Sequence, residues 1–240
     1  MLIKNVVTNV LGLFGLGIYR LHPPRLQASS VDFRPKPGIG DTPIEFNRRE
    51  NVNLQYSDSV RMQAYLSPDR LETYEALASF ALSKGIDCNG KQVADVGCGT
   101  GHFLLALSKI SRPASLTGMD FADAGIELAR ATVSGATFIG HDIYDSRMDR
   151  RFDVLFCSET LEHLLFPDRA LRNLLAWVQR PGTVLLTVPN GRIDTFEGHI
   201  NFWSPESWEV FVRSVCQPYG ATTETGVMKT GVYAVITLQA

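Results

Sequence analysis

Hydrophobic positions along this chain follow two rhythms in alternation. Short apolar runs, Val93-Ala94-Asp95-Val96 and Val154-Leu155-Phe156-Cys157 among them, have the near-continuous hydrophobicity of strands covered on both faces. Between such runs, apolar residues recur at the spacing of one helix face, as in Leu104, Leu107 and Ile110, or Leu171, Leu174, Leu175 and Val178. Strands are expected near 92–96, 115–119, 136–139, 152–157 and 183–188, and helices near 102–110, 123–132 and 168–179. Ser67-Pro68 and Ser204-Pro205 each place an N-cap serine before a first-turn proline. They open helices running to about Gly85 and Val215. Two last runs, near 220–226 and 231–238, read as a hairpin. Strands and helices alternating in this way predict a three-layer, doubly wound α/β fold with a mostly parallel sheet.

The first 60 residues stand apart. Ile3, Val6, Val7, Val10, Leu11, Phe14 and Ile18 define one apolar helical face, too short and too polar to span a bilayer. A peripheral contact with a membrane or a partner through residues 3–18 is one expectation; docking on the main domain is the other. Gly12, Gly15 and Gly17 weaken any helix there. Residues 22–45 are rich in Pro, Gly and charge and read as a linker or strap. The chain thus divides into an N-terminal extension, 1–60, a lid or an anchor, and a domain spanning 61–240.

Composition narrows the class of partner. The net charge of −2 offers no general attraction to nucleic acid. Four cysteines lie far apart with no C-x-x-C pair, as expected of reduced thiols in a cytoplasmic protein.

The most informative run is Val93-Ala94-Asp95-Val96-Gly97-Cys98-Gly99-Thr100-Gly101-His102-Phe103. A strand, a glycine turn and a helix in that order let a ligand lie on bare backbone beside a helix N-terminus. The dinucleotide fingerprint needs a glycine at 102, which is His102. Asp95 disfavours a pyrophosphate and suits a cation. The run resembles motif I of the class I S-adenosylmethionine-dependent methyltransferases, with Ala94 where Leu is commoner. That resemblance implies a seven-stranded, mostly parallel sheet of the class I type. It also implies cofactor contacts from Asp95, Gly97, Cys98, Gly99 and Gly101. Asp120, nineteen residues after Gly101, matches the acid expected to hold the ribose hydroxyls, with Phe121 over the adenine. Asp142 and Ile143, after strand three, match the acidic motif at the adenine amino group.

A second segment, Phe152 to His163, resembles the strand-four motif of the same family. Its ending, Ser158-Glu159-Thr160-Leu161-Glu162-His163, is similar to the ubiquinone-biosynthesis O-methyltransferases and to small-RNA 2′-O-methyltransferases. In some of those relatives the two glutamates and the histidine hold a divalent metal with a further downstream histidine. The resemblance implies Ser158 and Glu159 near the cofactor and Glu162, His163 and His199 as catalytic groups. It also offers a metal set of Glu159, Glu162, His163 and His199 for Mg²⁺, Mn²⁺ or Zn²⁺. On a helix, positions 159, 162 and 163 would share a face. The alternative for His163 is a lone base or a packing histidine. Residues 191–203, with Asp194, Phe196, His199, Phe202 and Trp203, read as a substrate wall, with a hydrophobic plug under the last helix as the alternative for Phe202 and Trp203.

The expected function is transfer of a methyl group from S-adenosylmethionine to a hydroxyl of a small molecule, a glycan or a lipid-linked intermediate. An RNA 2′-O-methyltransferase and a non-catalytic binding subunit are the alternatives, and the low basic content counts against RNA.

Overall fold

The computed structural model describes residues 42–229 and 231–240, so the apolar face at 3–18 and nearly all of the strap at 22–45 lie outside the described residues. Three short helices come first, α1 (Pro43–Phe46), α2 (Arg49–Ser57) and α3 (Ser59–Tyr65), followed by α4 (Pro68–Ser83). Then come β1 (Gln92–Val96), α5 (His102–Ile110), β2 (Ser115–Asp120), α6 (Asp123–Thr132) and β3 (Thr137–Gly140). β4 (Phe152–Ser158) leads through one 3₁₀ turn (Leu161–His163) to α7 (Pro167–Trp177). β5 (Val178–Pro189), α8 (Pro205–Cys216), β6 (Thr222–Met228) and β7 (Gly231–Leu238) complete the chain.

The strands form one seven-stranded sheet in the order β3-β2-β1-β4-β5-β7-β6. Pairing is parallel from β3 to β5; β7 runs antiparallel to both β5 and β6, which makes the expected hairpin. Each face carries its own apolar layer. On one, Leu77, Ala78 and Ala81 of α4 meet Phe103, Leu104 and Leu107 of α5 and Ile126 and Ala129 of α6. On the other, Ala170, Leu171, Leu174 and Leu175 of α7 pack with Trp208, Val212 and Val215 of α8. Fully burying one such leucine or valine contributes about 1.5–3 kcal/mol, so the two layers fix which helix lies on which face. The sheet order reverses between β1 and β4, which opens a crevice beyond the carboxyl ends of those strands.

Two expectations need correction. The helix expected to reach 179 ends at Trp177, and Val178 instead pairs with Phe152 as the first residue of β5. Val178 is 1 % exposed, so its periodic apolar position reported burial and not helical backbone. Ser67 and Ser204 occupy the N-caps of α4 and α8 as expected, with a proline in the first turn of each; Ser204 Oγ accepts from Ser207 N, while Ser67 makes no side-chain cap bond. The boundary at 60/61 falls inside α3, and the helices before it are packed on the domain: Phe46 is buried and Asn53 Oδ1 accepts from Ala124 N at 2.9 Å. All four cysteines are buried and free. Among the described residues no helix is long and apolar enough to cross a membrane.

Candidate active site

β1 delivers the chain into Gly97, Gly99 and Gly101, whose φ angles are +76°, +49° and +77°. A Cβ on Gly97 would lie 2.2 Å from Thr160 Oγ1, so both backbone and space demand glycine there. A Cβ on Gly99 would lie 2.8 Å from the Tyr56 hydroxyl, because α2 and α3 bring Tyr56 and Tyr65 over the loop. The Gly97 and Cys98 amides both donate to Met119 O, at 2.8 and 3.0 Å, which holds the turn to the end of β2. The Cys98 thiol points down into the apolar layer, leaving only backbone at this position to face the crevice.

Asp120 ends β2 and is 6 % exposed. Its Oδ2 accepts from Gly99 N at 2.9 Å and its Oδ1 from Ala122 N at 2.8 Å. Each oxygen keeps a further lone pair. Burial raises its pKa, with the backbone donors at Ala122 and Gly99 opposing. Asp95 is 3 % exposed, and among the described residues nothing donates a hydrogen bond to its carboxylate. Burial first, and the nearby Asp120 second, push its pKa up to about 8. Burial holds such an acid neutral near pH 7, and a cation placed beside it would favour the carboxylate. Phe121 follows, half-buried, with the Arg49 guanidinium 5.7 Å above its ring. Asp142 Oδ1 accepts from Tyr144 N, and Ile143 packs into the core.

β4 ends in a polar corner. Ser158 Oγ lies 2.9 Å from Thr187 Oγ1, and Thr187 in turn donates to Glu159 Oε1 at 3.1 Å. Glu159 has φ +50°, the left-handed region, and its amide donates to Thr187 O. Strain of this kind collects at functional sites. The backbone reversal means that 159, 162 and 163 do not lie on one helix face as expected; Leu161–His163 form a single 3₁₀ turn.

The loop after β5 is tied to that turn. Ile200 N and Asn201 N both donate to Glu162 O, and Asn201 Nδ2 donates to Leu164 O at 2.7 Å. His199 therefore lies beside Glu162 and His163. Both imidazole Nε2 atoms are 3.9 Å from Glu162 Oε1. His163 Nδ1 lies 3.4 Å from Gly198 O and His199 Nδ1 lies 2.6 Å from Asp194 Oδ2. With both Nδ1 atoms placed as donors, both Nε2 atoms turn their lone pairs inward. Glu162 is 1 % exposed, and neither of its oxygens has a hydrogen-bond partner. Its pKa is raised well above the usual carboxylate range, by burial and then by Glu159. Burial, with His199 adding, pushes His163 down to about 3. One carboxylate oxygen and two imidazole nitrogens lie within 4.8 Å of one another, the spread of a three-ligand cation site. Glu159 is not of this cluster.

Residues 65–215 match the methyltransferase domain family. The chain belongs to the class I S-adenosylmethionine-dependent methyltransferases. A ubiquinone biosynthesis O-methyltransferase of Vibrio vulnificus is 34% identical over 123 residues, 49% of this chain and 52% of that protein. A malonyl-[acyl-carrier protein] O-methyltransferase of Bacillus cereus is 32% identical over 98 residues, 40% of this chain and 36% of that one. The methyltransferase thus spans about half the length of these relatives, or less. Two solved folds are alike at low identity. The N-methyltransferase NodS from Bradyrhizobium japonicum, in complex with S-adenosyl-L-homocysteine, has TM-score 0.62 at 16% identity, covering 81% of this chain and 100% of its own. The DhpI complex with S-adenosylhomocysteine has TM-score 0.63 at 17% identity, covering 83% and 98%.

In this methyltransferase the sequence-predicted residues fall in two groups. Gly97, Gly99, Gly101, Asp95, Asp120 and Phe121 gather around the glycine loop. Glu162, His163 and His199 gather beyond β4, with Ser158 and Glu159 at the corner between. Sequence reading missed Thr187, which anchors that corner, and Tyr56 and Tyr65, which cover the glycine loop. Thr187 lies in an apolar run where one hydroxyl is unremarkable. Val52 and Tyr56, four apart, were the only hint of α2.

Proposed function

We propose that the chain transfers the sulfonium methyl of S-adenosylmethionine to a hydroxyl oxygen of a small acceptor, with a divalent cation at Glu162, His163 and His199. What supports the cofactor part is the glycine turn at the carboxyl end of β1, the buried Asp95 beside it, and Asp120 at the end of β2. In this reading the ligand's ammonium answers Asp95 and its ribose hydroxyls donate to Asp120.

One observation carries the acceptor part. Glu162 is sealed from solvent with both oxygens unbonded, and two imidazole nitrogens face it. An uncompensated buried carboxylate is costly, and a cation among the three groups removes that cost. Two nitrogens and one oxygen form a set suited to Mn²⁺ or Zn²⁺, and less to Mg²⁺. A divalent cation there would supply Lewis acidity, drawing an acceptor hydroxyl in and lowering its pKa. The chain's own residues do the rest. In-line attack forms a C–O bond as the C–S bond breaks, and sulfur keeps the electron pair as a thioether. Glu159, exposed after the end of β4 and outside the cluster, receives the hydroxyl proton. Desolvation raises its pKa, with Arg70 opposing.

The rim favours an acceptor with an apolar body. Leu165, Phe166, Ile193 and Phe202, which follow His163 in sequence or lie in the loop that carries His199, are all exposed. The O-methyltransferase relatives favour oxygen over nitrogen as the nucleophile. Incubating the purified chain with labelled S-adenosylmethionine and a fractionated cell extract, with and without chelator, tests acceptor and cation together. Label should enter a non-nucleic-acid fraction, stop with chelator and return with added Mn²⁺ or Zn²⁺. Undiminished labelling after exhaustive chelation would contradict the cation, and labelling of RNA would contradict the acceptor class.

A further inference from the structure

We propose that Asp194 is a positioning residue for the cation site, a role that rests on the reading of that site given above. Asp194 lies in the loop between β5 and α8, five residues before His199. Its carboxylate is fixed from both ends. The Asp194 amide donates to Asn190 O at 3.0 Å, and Asp194 Oδ1 accepts from Phe196 N at 3.1 Å. Its other oxygen, Oδ2, lies 2.6 Å from His199 Nδ1. The two side chains are 9% and 10% exposed, so little water competes for this bond.

An anionic acceptor at Nδ1 holds the proton on that nitrogen. Nε2 then keeps its lone pair, and Nε2 is the atom 3.9 Å from Glu162 Oε1. The same bond fixes the plane of the ring. It also makes Nε2 a stronger donor to a cation than an imidazole bonded to a neutral group. His163 provides the contrast within the same cluster. Its Nδ1 faces only the Gly198 carbonyl, at a longer 3.4 Å, and that carbonyl is shared with Asn47 Nδ2 at 2.7 Å. The two histidines are therefore unequal, and Asp194 makes His199 the stronger ligand. Phe196 strengthens the arrangement by packing its ring edge-on to His199, with centroids 4.8 Å apart.

The test is Mn²⁺ affinity of the full chain, wild type against Asp194→Ala and Asp194→Asn, followed by electron paramagnetic resonance of free Mn²⁺. Two readouts accompany it: the visible spectrum of bound Co²⁺ and the affinity for S-adenosylhomocysteine. Loss of an outer-shell carboxylate typically weakens metal affinity about 10- to 100-fold, which is the drop expected for Asp194→Ala. Asp194→Asn keeps an oxygen acceptor but loses the charge, and should lie between alanine and wild type. The Co²⁺ spectrum should change in both, while S-adenosylhomocysteine affinity stays the same. If the alanine variant misfolds, the asparagine variant carries the comparison. Wild-type Mn²⁺ affinity and an unchanged Co²⁺ spectrum in the folded variants would overturn the role of Asp194 and leave the cation reading standing. A wild-type chain that takes up neither Mn²⁺ nor Co²⁺ would overturn both.

Discussion

Asn201 and Glu162 are joined through the backbone, Asn201 N donating to Glu162 O at 3.0 Å, while the Asn201 side chain reaches Leu164 O at 2.7 Å. This clamp sets the loop carrying His199 against the turn carrying Glu162 and His163. Asn201→Ala removes the side-chain half and leaves a partly buried carbonyl unpaired, a cost of about 1–3 kcal/mol. Thermal denaturation should show the loss of stability. Methyl transfer should fall about tenfold or more as His199 drifts, since small misplacements are costly in a preorganised site. S-adenosylhomocysteine affinity should not change. Unaltered turnover with a lowered melting temperature would mean that the clamp serves the fold alone.

The glycine loop gives a second expectation. Gly97→Ala combines a positive φ with a contact of 2.2 Å to Thr160 Oγ1. Left-handed backbone at a non-glycine residue costs on the order of 1–3 kcal/mol before the clash is counted. The variant should be less stable than wild type and should lose cofactor affinity in calorimetry. Gly135→Ala is the control. It shares a positive φ, +83°, but its Cβ would meet nothing within 4 Å, so it should lose stability only.

Asp120→Ala should show both kinds of loss. The carboxylate holds the amides of Gly99 and Ala122, so removing it leaves two buried N–H groups unpaired, about 1–3 kcal/mol each at most. Affinity for S-adenosylhomocysteine should fall by about 1.5–3 kcal/mol as charged hydrogen bonds to the ribose disappear. A variant of unchanged affinity would remove Asp120 from the cofactor site.

Much of this was legible in the sequence, and the reasons are local. The glycine run, Asp120 and the Phe152-to-Ser158 strand are short-range patterns in which neighbours along the chain stay neighbours in space. Both halves of the Glu162–His163–His199 cluster were also legible as residue types. Their convergence depends on the hydrogen bonds from Ile200 and Asn201 to Glu162 O, and no spacing reports those. Glu159 was misjudged for a physical reason: a helix was assumed where the backbone turns left-handed at φ +50°. The packing of α1 to α3 on the domain was hidden because those helices are short and mostly polar. Phe46 is the buried residue of α1, and none of α2 or α3 is fully buried.

Asp95 links the fold to pH. Its folded-state pKa stands at about 8, above the ordinary value of 3.8. An acid raised in the folded state holds its proton more firmly when folded. The cost of burying it is absent below pH about 4, grows as pH rises and is complete above pH about 8, reaching a few kcal/mol. Chain without cofactor should therefore gain stability from this residue as pH falls from 8 toward 4. Asp95→Asn should flatten that slope in denaturant titrations. Cofactor binding near pH 7 should release a proton from Asp95, read as a dependence of calorimetric heat on buffer ionisation enthalpy. An identical slope in wild type and Asp95→Asn would contradict the assignment.

The proposed division of labour between the two groups of residues is the centre of this account: the glycine loop with Asp95 and Asp120 would hold the cofactor, and Glu162, His163 and His199 would serve the acceptor. Calorimetric titration of S-adenosylhomocysteine into the purified full chain, before and after exhaustive chelation, tests it most directly. Binding in the micromolar range is expected, on the order of −7 to −8 kcal/mol, and equal in the two conditions. No binding heat in either condition, or binding that disappears with chelation, would contradict it.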